Sequence, residues 1–372
     1  MGKNNKTLKF IISGGGTGGH IFPAISIANA IKDRWKDSEI LFVGAEGRME
    51  MERVPAAGYD IVGLPVAGFD RKNLLKNIKV VIKLLQSMSK ARKVLSDFKP
   101  DIAIGVGGYA SGPILKAAAS KGIPTVLQEQ NSYAGVTNKL LAKKAAKICV
   151  AYEGMEKFFP KDKIILTGNP TRQDLLVSDE NKKKGYDFFG LDATKKTILM
   201  VGGSLGARTL NESIINSFDE IKKSNVQVIW QCGKYYFKEM KELQNQGRIP
   251  HNVLLLDFVS RMDYAYSVAD LIISRAGAGS ISEFSLLSMP VILVPSPNVS
   301  EDHQTQNALA LVNKGAAILI RDNEAKEKLF DTALNLINNN QQLSQLSQNI
   351  FKLAEHNSAS RIVDEIEKIV IK

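Results

Sequence analysis

Short apolar runs alternate along this chain with longer stretches in which apolar residues recur every three or four positions. Leu8–Ser13, Glu39–Val43, Ile61–Leu64, Ile102–Val106, Thr125–Leu127 and Ile148–Ala151 are runs of the first kind. They read as strands buried on both faces of a sheet. The stretches between them have helical spacing; one runs from about Phe22 to Trp35. The same grammar restarts in the second half with Thr197–Val201, Val226–Gln231, Val253–Leu256, Leu271–Ser274, Val291–Val294 and Ala317–Ile320, with a helix from about Thr209. Alternating strands and helices predict an α/β fold with a parallel sheet covered on both sides. Two restarts predict two Rossmann-like domains.

The halves echo each other in detail. A glycine-rich turn follows Asp101–Val106 in the first half and Asp270–Ser274 in the second. Each leads into a helix, a small turn and another strand. Asn169-Pro170 breaks regular structure and marks the linker. Domains are therefore expected over residues 1–169 and 170–355. At the end of the chain, Ile362, Val363, Ile366, Ile369 and Val370 lie at helical spacing and predict a closing amphipathic helix.

A length of 372 residues suits two domains of roughly 150–200 residues. Two distant cysteines, Cys149 and Cys232, exclude a disulfide framework and suit a reducing compartment. No apolar run approaches the ~20 residues needed to cross a bilayer. Met1–Lys6 is polar and leads straight into a strand, so no signal peptide is expected.

Charge changes this picture. The net charge is +11, and it is uneven: residues 1–171 hold 26 Lys+Arg against 14 Asp+Glu, whereas the remainder hold 23 against 24. A basic first half argues for an anionic partner: nucleic acid, a phosphate-bearing ligand or a membrane surface. No basic stripe interleaved with aromatics is present, which argues against nucleic acid. Residues 71–93 form a basic stretch with Leu74, Leu75, Ile78, Val81, Ile82, Leu85 and Met88 at helical spacing. An ordinary packed helix and one resting partly on anionic lipid both fit.

Candidate chemistry concentrates in glycine loops. Gly14–Gly19 follows a strand and opens a helix, where backbone N–H groups can hold an anion. A dinucleotide reading needs an acid at the end of the second strand, and Glu46 is a late candidate. Gly-Lys-Ser/Thr does not close this loop, so it is no Walker A motif. His20, at the helix start, can bond a phosphate or sugar hydroxyl or act as a base; a packing histidine is the alternative. Gly105–Pro113 is a second such turn, with Ser111 a possible helix cap. Two anion-ready loops on one sheet edge suit a diphosphate. Gln128-Glu129-Gln130-Asn131 follows the next strand, where Glu129 suits a general base and Asn131 a hydroxyl ligand, unless they merely cap a helix.

In the second half, Gly202–Ala207 repeats the strand, glycine turn, helix arrangement, and Ser204 adds a hydroxyl. Arg172 follows the linker and can neutralise a phosphate. Small residues over Ala276–Ser280 permit close approach of a ligand, and Glu283 can take two vicinal ribose hydroxyls. Gln304 and Asn307 share one helix face. The four histidines are scattered and Asp-x-Asp is absent, so no metal cluster is expected. A diphosphate would then be met by helix ends and arginine.

Seven motifs in one order, GGGTGGH (14–20), GVGGYASGP (105–113), QEQN (128–131), GNPTR (168–172), GGSLGA (202–207), RAGAGSISE (275–283) and HQTQNA (303–308), resemble the bacterial peptidoglycan N-acetylglucosaminyltransferases along essentially the whole chain. The resemblance implies a GT-B fold, with two Rossmann-like domains facing a central cleft and helix 356–372 packing back on the first. The activity implied is inverting transfer of N-acetylglucosamine from its UDP donor to the muramoyl sugar of undecaprenyl-diphospho-N-acetylmuramoyl-pentapeptide.

Donor contacts implied are Glu283 to ribose; Ser204, Arg172 and the Ala278–Gly279–Ser280 backbone to diphosphate; and the Val259 backbone to uracil. Gln304, Asn131 and Thr17–Gly18–Gly19 would touch the sugar. Gly15, Gly16, Gly107, Gly108, Tyr109 and Ser111 would hold the acceptor diphosphate, with His20 favoured over Glu129 as base. Relatives carry His where this chain has Gln128, so no role of that histidine transfers. No tightly bound cofactor is expected, with stimulation by a divalent cation left open. The expected place is peripheral, on the cytoplasmic face of the bacterial membrane, with other cell-wall synthesis proteins as possible partners. The alternatives are a UDP-N-acetylglucosamine epimerase or hydrolase on the same fold, and a nicotinamide-dependent dehydrogenase.

Overall fold

The structure is a computed structural model and describes residues 7–66, 77–171 and 177–371. It divides into two compact units: residues 1–171 with 355–372, and residues 172–354. In the first, strands β1 (Lys9–Ser13), β2 (Glu39–Ala45), β3 (Asp60–Leu64), β4 (Ile102–Gly105), β5 (Thr125–Glu129), β6 (Lys147–Val150) and β7 (Ile164–Leu166) form one parallel sheet of order β3-β2-β1-β4-β5-β6-β7. In the second, β8 (Lys196–Val201), β9 (Val226–Gln231), β10 (Val253–Leu256), β11 (Leu271–Ser274), β12 (Val291–Leu293) and β13 (Ile318–Leu319) form another, of order β10-β9-β8-β11-β12-β13.

Both sheets reverse direction beside their first strand, between β1 and β4 and between β8 and β11. Chain leaving these neighbours goes to opposite sides of the sheet, so a crevice opens at their carboxyl ends. Every glycine motif except the linker follows one of these four strands. The strands are buried because both faces carry helices: Ile11, Ala103 and Leu127 pack to one side of the first sheet, Phe10, Ile12 and Ile104 to the other.

The closing helix, Ser358–Val370, belongs to the first unit. Ile362, Val363 and Ile366 enter the same core as Ile27 and Ile31 of the helix Gly18–Arg34. Arg34 clamps its outer side through Asp364 at 2.6 Å and Glu367 at 2.5 Å. Three details differ from the sequence pattern. The helix after β1 begins at Gly18, a turn earlier than its apolar periodicity, so the glycines themselves form its first turn. Strand β5 runs on through Gln128 and Glu129. Strand β7, only three residues long, has no periodicity to betray it.

Candidate active site

In the first unit the loops after β1 and β4 meet. A Cβ on Gly108 would lie 2.5 Å from the Gly15 carbonyl oxygen, and one on Gly107 would lie 2.9 Å from His20 Nε2. Only glycine permits that approach, and both residues also have positive φ. Thr17 is the N-cap of the helix Gly18–Arg34, and its carbonyl accepts from the His20 and Ile21 N–H groups. The first-turn N–H groups of Gly18 and Gly19 have no partner further back in the helix.

His20 Nδ1 lies 3.0 Å from the Gly15 carbonyl oxygen and 3.4 Å from Thr17 Oγ1. A carbonyl can only accept, so Nδ1 carries the proton of the neutral ring. Nε2, which faces Gly107, then carries the lone pair. That is the tautomer a base at Nε2 requires.

Three assignments change. Gly16 donates its N–H to Glu50 Oε2 at 2.9 Å, so this group is spent inside the protein and does not serve a diphosphate; Gly15 is buried beside it. Ser111 is no cap: it lies inside the helix Ser111–Ser120, fully buried, and its hydroxyl donates to the carbonyls of Ser13 and Gly107, both at 2.8 Å. Glu129 is 2 % exposed and accepts from Asn131 N, Gly135 N and Asn138 Nδ2 at 3.1, 3.0 and 2.9 Å. Those bonds organise the loop after β5, and Asn131 is drawn into them. Glu129 is built as an internal brace. Tyr109, by contrast, is 61 % exposed.

Buried amides extend this brace to the linker. Gln128 Nε2 donates to Asn169 Oδ1 and Asn169 Nδ2 to the Gln130 carbonyl, both at 3.0 Å. Glu46, the acid a dinucleotide site would need, instead pairs with Lys90 at 2.8 Å on the surface.

The second unit holds a pocket of about 450 Å³. It is framed by Gly202, Gly203 and Gly206 after β8, Arg275 and Gly277 after β11, Ser296–Asn298 after β12, and Ser280 and Gln304 on two helices. The loop after β8 is locked in place. Gln231 Nε2 holds the Gly203 carbonyl at 2.9 Å, and a Cβ on Gly206 would lie 2.0 Å from the Cys232 carbonyl oxygen. The helices Arg208–Asn216 and Ala278–Leu286 point their N-termini, the positive ends of their dipoles, toward this loop edge.

Of the anticipated donor residues, Ser280 and Gln304 line the pocket; Gln304 Oε1 also accepts from Ser296 N at 2.9 Å. Ser204 lies between lining residues Gly203 and Gly206, and Ala278 and Gly279 between Gly277 and Ser280. Glu283 is a turn further along, where Tyr266 Oη donates to Oε2 at 2.8 Å. Val259 is buried beyond β10 and is not among the lining residues. Arg172 lies outside the described residues.

Arg275 and Asp322 escaped sequence reasoning as a pair. Arg275 Nη1 bonds Asp322 Oδ1 at 2.5 Å and the Val294 carbonyl at 3.0 Å, and Asp322 also accepts from Thr209. These two lining residues stand 47 positions apart, so no local spacing announces them. Among the described residues no group of three His, Cys, Asp or Glu side chains can hold a metal.

Two parallel α/β units, each with glycine loops and helix N-termini at its own switch point, are the architecture of GT-B glycosyltransferases. Residues 10–150 match the glycosyltransferase family 28 N-terminal domain and residues 197–365 the glycosyltransferase family 28 C-terminal domain. The chain belongs to glycosyltransferase family 28. It is 64 % identical over 365 residues to the UDP-N-acetylglucosamine–N-acetylmuramyl-(pentapeptide) pyrophosphoryl-undecaprenol N-acetylglucosamine transferase of Parabacteroides distasonis, covering 98 % of this chain and 99 % of that one. The protein of that name from Phocaeicola vulgatus is 64 % identical over 368 residues, covering 99 % and 98 %.

Among solved structures, Acinetobacter baumannii MurG superimposes with a TM-score of 0.76 at 28 % identity, covering 97 % of this chain and 99 % of that one. The UDP-GlcNAc 2-epimerase of Neisseria meningitidis gives 0.67 at 18 %, a likeness of fold alone.

Proposed function

We propose that this protein transfers N-acetylglucosamine from UDP-N-acetylglucosamine to the muramoyl sugar of undecaprenyl-diphospho-N-acetylmuramoyl-pentapeptide, with inversion. The observation that carries the proposal is the end-to-end likeness to enzymes named for that transfer. The geometry supports it at both half-sites. The pocket of the second unit takes the donor, with its diphosphate at the loop after β8 and its ribose at Glu283. In the first unit the Gly18–Gly19 turn, Gly107–Gly108 and Tyr109 receive the acceptor.

Nε2 of His20 accepts the proton of the acceptor hydroxyl as that oxygen attacks the anomeric carbon and UDP departs. Charge on the leaving diphosphate is met by the N-termini of the helices Arg208–Asn216 and Ala278–Leu286, and by Arg172. No tightly bound cofactor enters this scheme.

The protein works at the cytoplasmic face of the membrane without spanning it. No described helix is long and apolar enough to cross a bilayer. On the helix Asn77–Phe98, Val81, Ile82, Leu84 and Leu85 are exposed, Leu85 by 66 %. A merely packed helix would bury such residues, whereas a lipid surface covers them. The part of this basic stretch over residues 71–76 lies outside the described residues.

The test supplies UDP-N-acetylglucosamine labelled in the sugar, with and without the lipid-linked acceptor. Label entering the lipid fraction only with acceptor and protein together is expected. Conversion of the nucleotide sugar without acceptor, and none to lipid, would mean an epimerase or hydrolase.

A further inference from the structure

Glu50 has no part in the transfer as described, yet it is built into the glycine loop. It opens the helix Glu50–Ala56 and is fully buried. Oε1 accepts from Ala45 N and Oε2 from Gly16 N, each at 2.9 Å. Its cradle is carved by glycine: a Cβ on Gly15 would lie 2.0 Å from Oε1, and one on Gly44 2.6 Å from Cγ.

The N–H of Gly16 and the carbonyl of Gly15 belong to one planar peptide group, and in a trans peptide they point in opposite directions. Glu50 holds the first, and His20 Nδ1 lies 3.0 Å from the second. The carboxylate and the imidazole thus sit at the two ends of a single peptide unit.

We propose that Glu50 is a positioning residue for His20, acting through the Gly15–Gly16 peptide. Its two bonds fix the plane of that peptide, and so the direction of the carbonyl that selects the Nδ1–H tautomer. Its negative charge polarises the peptide and strengthens the carbonyl as an acceptor. When Nε2 takes the hydroxyl proton, the new sugar–oxygen bond forms and the bond to UDP breaks. The imidazolium is then met by this carbonyl.

Neither the helix terminus at His20 nor Thr17, Gln130 or Glu129 substitutes for Glu50. The N-terminus of its own helix opposes a positive ring. Thr17 and Gln130, the latter beside Gly107, are neutral. Glu129, on the next loop, has its oxygens engaged by Asn131, Gly135 and Asn138.

The inference rests on His20 as the base, and the experiment separates the two. Glu50→Gln keeps the size of the side chain but sets an amide NH2 against one of the two N–H donors. UDP binding, which uses the second unit, is expected to stay unchanged while kcat falls about 10- to 100-fold. The acidic limb of the kcat–pH profile is expected to move to lower pH, because the ring loses a stabiliser of its protonated form. A lowered kcat with an unmoved limb would reduce Glu50 to loop packing and overturn the proposal, as would unchanged kinetics.

His20→Asn is the control. If that variant keeps full activity, the base assignment itself fails; if it is inactive and Glu50→Gln is normal, only the role of Glu50 fails. Nitrogen-15 NMR of the unaltered protein tests the tautomer the proposal requires even where Glu50→Gln does not fold. His20 protonated on Nδ1 is expected, and protonation on Nε2 would contradict the proposal.

Discussion

The Gly15 carbonyl sets the tautomer of His20, because that oxygen can accept a hydrogen bond but cannot donate one. Loss of the ring in His20→Asn should lower kcat by about 10²- to 10⁴-fold and leave UDP binding intact, measured by steady-state kinetics and calorimetry. On the donor side, Tyr266→Phe removes the hydroxyl that holds Glu283. A bond to a carboxylate is worth about 1.5 kcal/mol or more, so the donor KM should rise roughly tenfold with little change in kcat. An unchanged KM would remove Glu283 from the ribose.

The cysteines make a different residue-scale case. Burial pushes both thiols, Cys149 and Cys232, up to about 12, so neither is a thiolate at neutral pH. A thiol reagent should modify neither in the native protein and both after denaturation.

What the sequence reveals at this scale is whatever is contiguous: glycine runs, His20, the Arg275–Glu283 motif. Glu50, Asp322 and Tyr266 were illegible because their partners lie 34, 47 and 17 residues away and meet them only once the sheets form. Glu129 misled for another reason. Apolar residues stop at Leu127, but pairing of Glu129 with Val150 keeps the polar residue inside the strand and buried.

At the scale of elements, periodicity was a good guide to the centre of each strand and a poor one to its ends. Of the exact matches, Val226–Gln231, Val253–Leu256 and Leu271–Ser274, the last two are flanked on both sides by Asn, Asp or Arg, which mark their ends in the sequence. The helix after β1 begins a turn earlier than its apolar periodicity predicts, because glycine disfavours helix by about 1 kcal/mol per residue and Gly18–Gly19 carry no helical signal.

The closing helix is held mainly by its apolar face. Ile366→Ala should destabilise the protein by about 2–4 kcal/mol in denaturant unfolding. Asp364→Asn, which weakens a half-exposed ion pair with Arg34, should cost about 1 kcal/mol or less. Leu85→Glu, on a helix whose neighbouring apolar residues are exposed, should leave folding and soluble-substrate binding unchanged and weaken binding to anionic vesicles in a flotation assay.

For the whole molecule, the uneven charge acquires a direction. The half with 26 Lys+Arg against 14 Asp+Glu contains His20 and the glycine loops proposed for the acceptor; the nearly neutral half contains the pocket proposed for the donor. Under the proposed function the lipid-linked diphosphate is anionic and would be met at an anionic surface, whereas the donor would arrive from solution. Vesicle binding should therefore fall steeply between low salt and ~1 M, where the screening length shrinks to about 3 Å.

The most direct test of the central claim follows one carbon. Donor labelled with carbon-13 at the anomeric position is mixed with the lipid-linked acceptor, and NMR tracks that carbon. A new β-linked anomeric signal in the lipid fraction, growing as the α-linked signal of the nucleotide sugar decays, is the predicted result. Label that stays in a nucleotide sugar of altered configuration, or appears as free sugar with none on lipid, would contradict it.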